Sequence, residues 1–187
     1  MKFVKVLLVA GISAALLSGC GSNNNNEGNE AAATATTAPT AAAQTDAVST
    51  ASIVKEQDPF LKAVSAEGTW IVAILNDLTI DQDVVVAGEF HDKGAAENAI
   101  YRKLALYAQD ADHNVTASYT LTAPKVTVQS ENFRVQGGTI KGDVYVEANG
   151  FNLYKDATID GNLYFANADV QASAVMEGKV TGATEVK

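Results

Sequence analysis

Asp110-Ala111-Asp112-His113-Asn114 places oxygen-bearing side chains on alternate residues, the spacing with which calcium loops begin. Alternate oxygens can converge on one hard cation. A complete loop also needs glycine at its sixth position and glutamate at its twelfth, and Val115 and Leu121 stand there. Asp110, Asp112 and Asn114 therefore read first as a polar turn, with metal binding as the alternative. His91 and His113 are the two histidines, each beside an aspartate (Asp92 and Asp112). A carboxylate next to an imidazole can orient a general base. A metal-dependent enzyme would draw on His91, Asp92 and the 110–114 segment. No Gly-x-Ser-x-Gly motif supplies a nucleophile, and both histidines lie in polar stretches where solvation accounts for them. A non-enzyme without a cofactor is the expectation. Tyr145 and Tyr164 occupy the same place in a repeated motif. Two stacked, outward rings can hold a sugar or pack beneath another segment.

The single cysteine, Cys20, has a different setting. Lys2 and Lys5 precede an uncharged run from Val6 to Leu17, and Ser18, Gly19 and Cys20 follow. A positive start, a short apolar stretch and small residues make a secretory signal, too short to cross a bilayer. Leu17-Ser18-Gly19-Cys20 resembles the lipobox of bacterial lipoproteins. The resemblance implies removal of residues 1–19, lipid on the Cys20 sulfur, and a chain held at the extracytoplasmic face of the bacterial cell membrane. Loss of Lys2 and Lys5 would carry the formal charge from −9 to −11. Such an acidic chain repels nucleic acid.

Residues 20–51 are expected to be a flexible tether. Asn23 to Asn26 are four consecutive asparagines, and alanine and threonine dominate thereafter. So little apolar surface cannot offset the entropy of ordering. Residues 52–187 then form the folded domain. Asp58-Pro59 predicts the start of a short helix ending near Gly68, with Phe60, Leu61 and Val64 on one face. From Thr69 the period is two, as in Val115, Ala117, Tyr119 and Leu121, which predicts a half-buried strand.

Three segments repeat. Thr79–Val86 matches Thr139–Val146 and Thr158–Phe165 in the pattern T-I-x-[GQ]-[DN]-[VL]-[YV]-[VF]. Softer copies fill the gaps and give strand centres at Val84, Leu104, Val126, Val144, Leu163 and Val180. Gly142, Gly161 and Gly178 recur where the chain must turn. Asp143 and Asn162 share one corner position, which reads as turn chemistry. Short strands at this spacing predict an all-β fold, a parallel β-solenoid that stacks Val on Val and Ile on Ile, with the short N-terminal helix capping its first coil. Ile140-Lys-Gly-Asp-Val and Ile159-Asp-Gly-Asn-Leu resemble the repeats of the bactofilins, which implies a right-handed β-helix and self-assembly. The expected role is structural, adhesive or polymer-forming contact at the cell surface, with a second copy or a surface glycan as partner. The alternative is a carbohydrate-binding or carbohydrate-active β-helix using the face near Tyr145 and Tyr164.

Overall fold

The computed structural model describes residues 51–187. The signal 1–19, Cys20 and the tether up to residue 50 lie outside the described residues. The chain then makes repeated passes, each contributing strands to two sheets. β1 (Ser52–Val54) leads into α1 (Gln57–Val64), and β2 (Ile71–Ile74), β3 (Leu78–Thr79) and β4 (Val84–Val86) follow. A longer pass holds β5 (Arg102–Ala105), β6 (Tyr107–Gln109), β7 (Val115–Ser118) and β8 (Thr120–Val128). β9 (Phe133–Gln136) and β10 (Thr139–Val146) form the next, then β11 (Asn152–Leu153), β12 (Thr158–Asp160) and β13 (Leu163–Phe165). α2 (Ala168–Ser173) precedes β14 (Val175–Met176), β15 (Lys179–Val180) and β16 (Thr184–Val186).

The protein is β-rich, and its two larger sheets are parallel throughout. One has the order β1-β2-β5-β9-β11-β14. In the other, β8 lies between β10 and the short pair β3 and β4, and beyond β10 come β12 and β13, then β15 and β16. Ile140 lies directly opposite Ile159, and Val144 opposite Leu163, in parallel register as the repeats require. All four side chains are fully buried. Alternation explains this. In a strand only every second side chain faces the interior, so a strict apolar period of two buries one row and exposes the next. Stacking identical rows produces ladders such as Val84, Val126, Val144 and Leu163.

α1 supplies Phe60, Ala63 and Val64 to the same core and packs against β1, β2 and β4. It starts at Gln57, one residue before the expected cap, and Glu56 caps it without a side-chain bond. Proline is tolerated throughout a first turn, where no N–H partner exists, so Pro59 does not fix the starting residue. The helix stops at Val64, and the Ser65 hydroxyl donates to the Lys62 carbonyl at 2.9 Å. Gly68 is where the chain folds back: a Cβ there would overlap the Ala63 carbonyl, and the Thr69 N–H donates to that same oxygen at 3.2 Å. α2 is capped by Asn167, whose side chain accepts from Val170 N at 2.9 Å.

Four expectations need correction. First, Leu104 does not belong to the ladder of Val84 and Val126. It lies in the other sheet, between Val72 and Val135. Both sheets bury alternate Val and Leu, so apolar spacing alone does not say which sheet a strand joins. Val84 and Val126 are direct neighbours although 42 residues apart. The extra length goes into the 87–101 excursion and into an antiparallel hairpin of β6 and β7. Second, the run from Val115 to Leu121 is two strands, and Val115 is exposed on the hairpin. Third, Leu78 rather than Ile80 aligns with Leu121 and so with Ile140. A bulge at Ala123-Pro124, opposite Gly142, takes up one residue of this two-residue offset, and the 80–83 segment, one residue longer than its counterpart in β8, takes up the other. Proline is acceptable there because a bulge needs no ladder N–H. Fourth, Val180 pairs with Ile159, so Thr184, not Val180, continues the row of Leu163.

The corner glycines follow the corrected register. Gly142, Gly161 and Gly182 stack, and a Cβ on each would overlap the carbonyl of the residue below it (Ala123, Gly142 and Gly161). Only Gly142 of the three has positive φ, at 141°. Gly178 turns a different corner, against Ala157 and Tyr154. Gly161→Ala should therefore cost about 3 kcal/mol through overpacking against fixed backbone. Urea unfolding followed by circular dichroism checks this. A change under about 0.5 kcal/mol would mean that the corner has room.

Candidate functional site

Asp110 spends its carboxylate inside the hairpin turn. Its Oδ1 accepts from the backbone N–H groups of Asp112 (3.0 Å) and Asn114 (2.9 Å), and its Oδ2 from Asn114 Nδ2 at 3.2 Å. These bonds hold its pKa below the usual carboxylate value. His113 sits at positive φ in the same turn, and its Nδ1 lies 3.0 Å from Gln109 Nε2. Asp110, Asp112 and Asn114 thus form a hydrogen-bonded Asx turn joining β6 to β7. No group of three metal-ligating side chains occurs among the described residues.

His91 belongs to a different segment. Its Nδ1 lies 2.7 Å from the Asn98 carbonyl and its Nε2 3.3 Å from Glu89 Oε1. The Asn98 bond chiefly, with Glu89 adding to it, raises the His91 pKa above 6.5. Its role is to tie the 87–101 excursion together, where residues 91 and 100 form an isolated antiparallel bridge. The two histidines share no bonded partner, and Asp92 caps neither.

Tyr145 and Tyr164 are direct neighbours on adjacent strands, with ring centroids 4.7 Å apart and planes inclined at 42°. Their flanking residues Val144, Val146, Leu163 and Phe165 are buried, which fixes the tyrosines on the outer side of the sheet. The rings are nonetheless largely covered. Tyr164 is only 9% exposed, and Lys187 Nζ lies 3.5 Å from its ring centroid. Lys125 Nζ approaches Tyr145 at 5.8 Å while holding Asp83 Oδ2 at 2.8 Å. The pair is a packed cation–π stack more than an open platform.

Asp143 and Asn162 perform turn chemistry. Asp143 Oδ1 accepts from Asn162 N at 2.9 Å, and Asn162 Oδ1 accepts from Ala183 N at 2.9 Å. Each side chain satisfies the corner N–H of the following pass.

Two features have no counterpart in the motif reading. The first is Arg102, which is 1% exposed. Its guanidinium donates to the carbonyls of Thr69, Ala87, Ala63 and Ser65 and to the Ser130 hydroxyl. The Phe90 ring lies 4.1 Å away, centroid to Cζ. Burial lowers its pKa to about 10. The alternation that makes Leu104 and Leu106 inward also makes residue 102 inward, so a charge at that parity was the available signal.

The second is the final pass. β14, β15 and β16 each pair on one side only, with β11, β12 and β13. Val175, Met176 and Val186 on these strands are 47%, 40% and 45% exposed, and they are three of the five exposed large apolar side chains among the described residues. At the opposite end α1 seats Phe60 and Val64 in the core. β1, β3 and β4 at the first passes likewise pair on one side only, but there α1 packs against β1, β2 and β4, whereas the last pass combines free strand edges with three exposed apolar side chains. Neither a family model, nor a curated protein, nor a solved structure matches this chain.

Proposed function

We propose that this protein is a lipid-anchored extracytoplasmic parallel β-helix that works as a structural interaction module, without catalytic activity. The in-register parallel stacking of successive passes supports the β-helix. The lipobox at Leu17–Cys20 supports the anchor, and the tether after it supports display away from the membrane. The observation that carries the interaction role is the final pass. Strands with one free edge and exposed Val175, Met176 and Val186 are a template for another strand. α1 obstructs the same approach at the first passes. Pairing between two final passes, related by a two-fold axis, uses the free edges of β14, β15 and β16 and closes as a dimer. The uncatalytic role is supported by the spending of Asp110, Asp143 and Asn162 on backbone N–H groups.

The test uses the full chain extracted in mild detergent. Labelling with an alkynyl fatty acid should be lost in Cys20→Ser, together with partition into membranes. Sedimentation velocity of the extracted wild type should show a concentration-dependent dimer. Undiminished labelling in Cys20→Ser would refute the anchor, and a monomer at every concentration would refute the pairing.

A further inference from the structure

The outer side of the first sheet carries two cations face to face. Lys103 on β5 and Arg134 on β9 are direct register partners on the solvent side of the strands, since Arg102, Leu104, Phe133 and Val135 beside them are buried. Like charges directly opposite destabilise a sheet. Among the described residues neither makes an ion pair; the two pairs present are Lys125–Asp83 and His91–Glu89. Aromatic rings surround them. Arg134 lies 5.0 Å from the Tyr154 centroid and 5.8 Å from that of Tyr101. Lys103 Nζ donates to the Tyr107 hydroxyl at 3.2 Å. Lys155 lies 5.6 Å from the Tyr154 centroid. Asp156, whose charge reaches Lys103, has its Oδ1 engaged by Gly137 N at 2.9 Å. Burial, and then the Arg134 charge, lower the Lys103 pKa, with Asp156 opposing them in part, so the two cations repel each other.

Polar orphans lie in the same row. Arg134 Nε and Asn152 Oδ1 are buried with no hydrogen-bond partner, and Asn152 is the register partner of Arg134 on the next strand. Nearly all buried polar groups find partners, so two orphans on adjacent residues call for a reason. The guanidinium is held over Tyr154 and Tyr101, but its Nε and the Asn152 Oδ1 keep hydrogen-bonding capacity that the fold does not use.

We propose that this face binds an acidic sugar unit of a glycan. A carboxylate seated between Lys103 and the Arg134 fork supplies a counter-charge, and the guanidinium matches its two oxygens. A ring hydroxyl supplies the donor for Asn152 Oδ1. The sugar's apolar face lies against Tyr154. The charge of −9 does not forbid this, because distant acids are screened beyond about 8 Å at physiological salt. A sugar acid fits better than a nucleic acid, which would bring closely spaced phosphates against that acidic remainder. The site is independent of the pairing proposed above, since it uses the side of a sheet and not its edge.

The experiment titrates the full, detergent-extracted chain with an oligogalacturonate, a neutral maltooligosaccharide and an oligothymidylate. The oligogalacturonate should bind, more weakly as salt rises, and the maltooligosaccharide should bind at least about tenfold more weakly. Arg134→Gln and Lys103→Gln should each reduce oligogalacturonate affinity about tenfold, with Tyr164→Ala leaving it unchanged. If Arg134→Gln fails to fold, Lys103→Gln and the salt dependence decide. Absence of oligogalacturonate binding, equal binding of the neutral sugar, tighter binding of the oligothymidylate, or indifference to Lys103→Gln would each overturn the proposal.

Discussion

Arg102→Ala should lower stability by about 4 kcal/mol, combining a large core truncation with the loss of several charged hydrogen bonds. Against a typical total of about 5–15 kcal/mol, that is enough to leave much of the chain unfolded. The reason is what the guanidinium joins. Ala63 and Ser65 belong to the end of α1, Ala87 to the exit of β4, Thr69 to the approach to β2, and Ser130 to the next pass. The carbonyls ending a helix carry its negative dipole end, so they compensate a cation where no carboxylate is near. Ser130 extends the network by donating to the Gly88 carbonyl at 2.8 Å. Removing the side chain leaves these acceptors in a dry interior. Arg102→Lys keeps the charge but has three donors on one nitrogen and no fork, so it should recover only part of the loss. Urea denaturation of both variants gives the comparison. An Arg102→Ala change under about 1 kcal/mol would mean that water replaces the guanidinium without cost.

The second large effect concerns assembly. Val175→Lys combined with Val186→Lys should convert the proposed dimer to monomer, with its affinity lowered by at least about a hundredfold. Each substitution puts a strongly hydrated charge on an exposed edge strand, the means by which natural sheets block edge pairing. Added positive charges on both contacting edges also repel one another, so repulsion adds to lost apolar contact. Both side chains are about half exposed in the single chain, and folding stability should therefore change little. Sedimentation velocity at several concentrations reads the shift. A double variant as dimeric as the wild type would show that the final pass is not the contact.

The strong repeats were legible because their chemistry is local. Val144 over Leu163 and Ile140 over Ile159 follow from matching glycine, Asp or Asn, and aliphatic residues at matching offsets. The stacked corner of Asp143 and Asn162 was legible for the same reason. The middle was not. Between Val86 and Thr120 the chain leaves the repeat twice, for the 87–101 excursion and for the hairpin, and neither departure disturbs the apolar spacing. Leu104 looked like a member of one ladder because a Leu in a buried row carries no mark of its sheet. Arg102 and the Lys103–Arg134 pair escaped because strand neighbours about 30 residues apart are set by the pass length, which the excursions alter. The covering of Tyr164 escaped because Lys187 reaches it from the next pass, whose register follows Thr184 and not Val180.

The central claim is that two copies meet through their final passes, with α1 at the far ends. Spin labels placed singly at residues 184 and 62 of the full chain, and measured by double electron–electron resonance in detergent, test it directly. A label on β16 at residue 184 should report a short distance between copies. A label on α1 at residue 62 should report a much longer one, or none in range. A short distance at residue 62, or none at 184 in a sample that sediments as a dimer, would contradict the account.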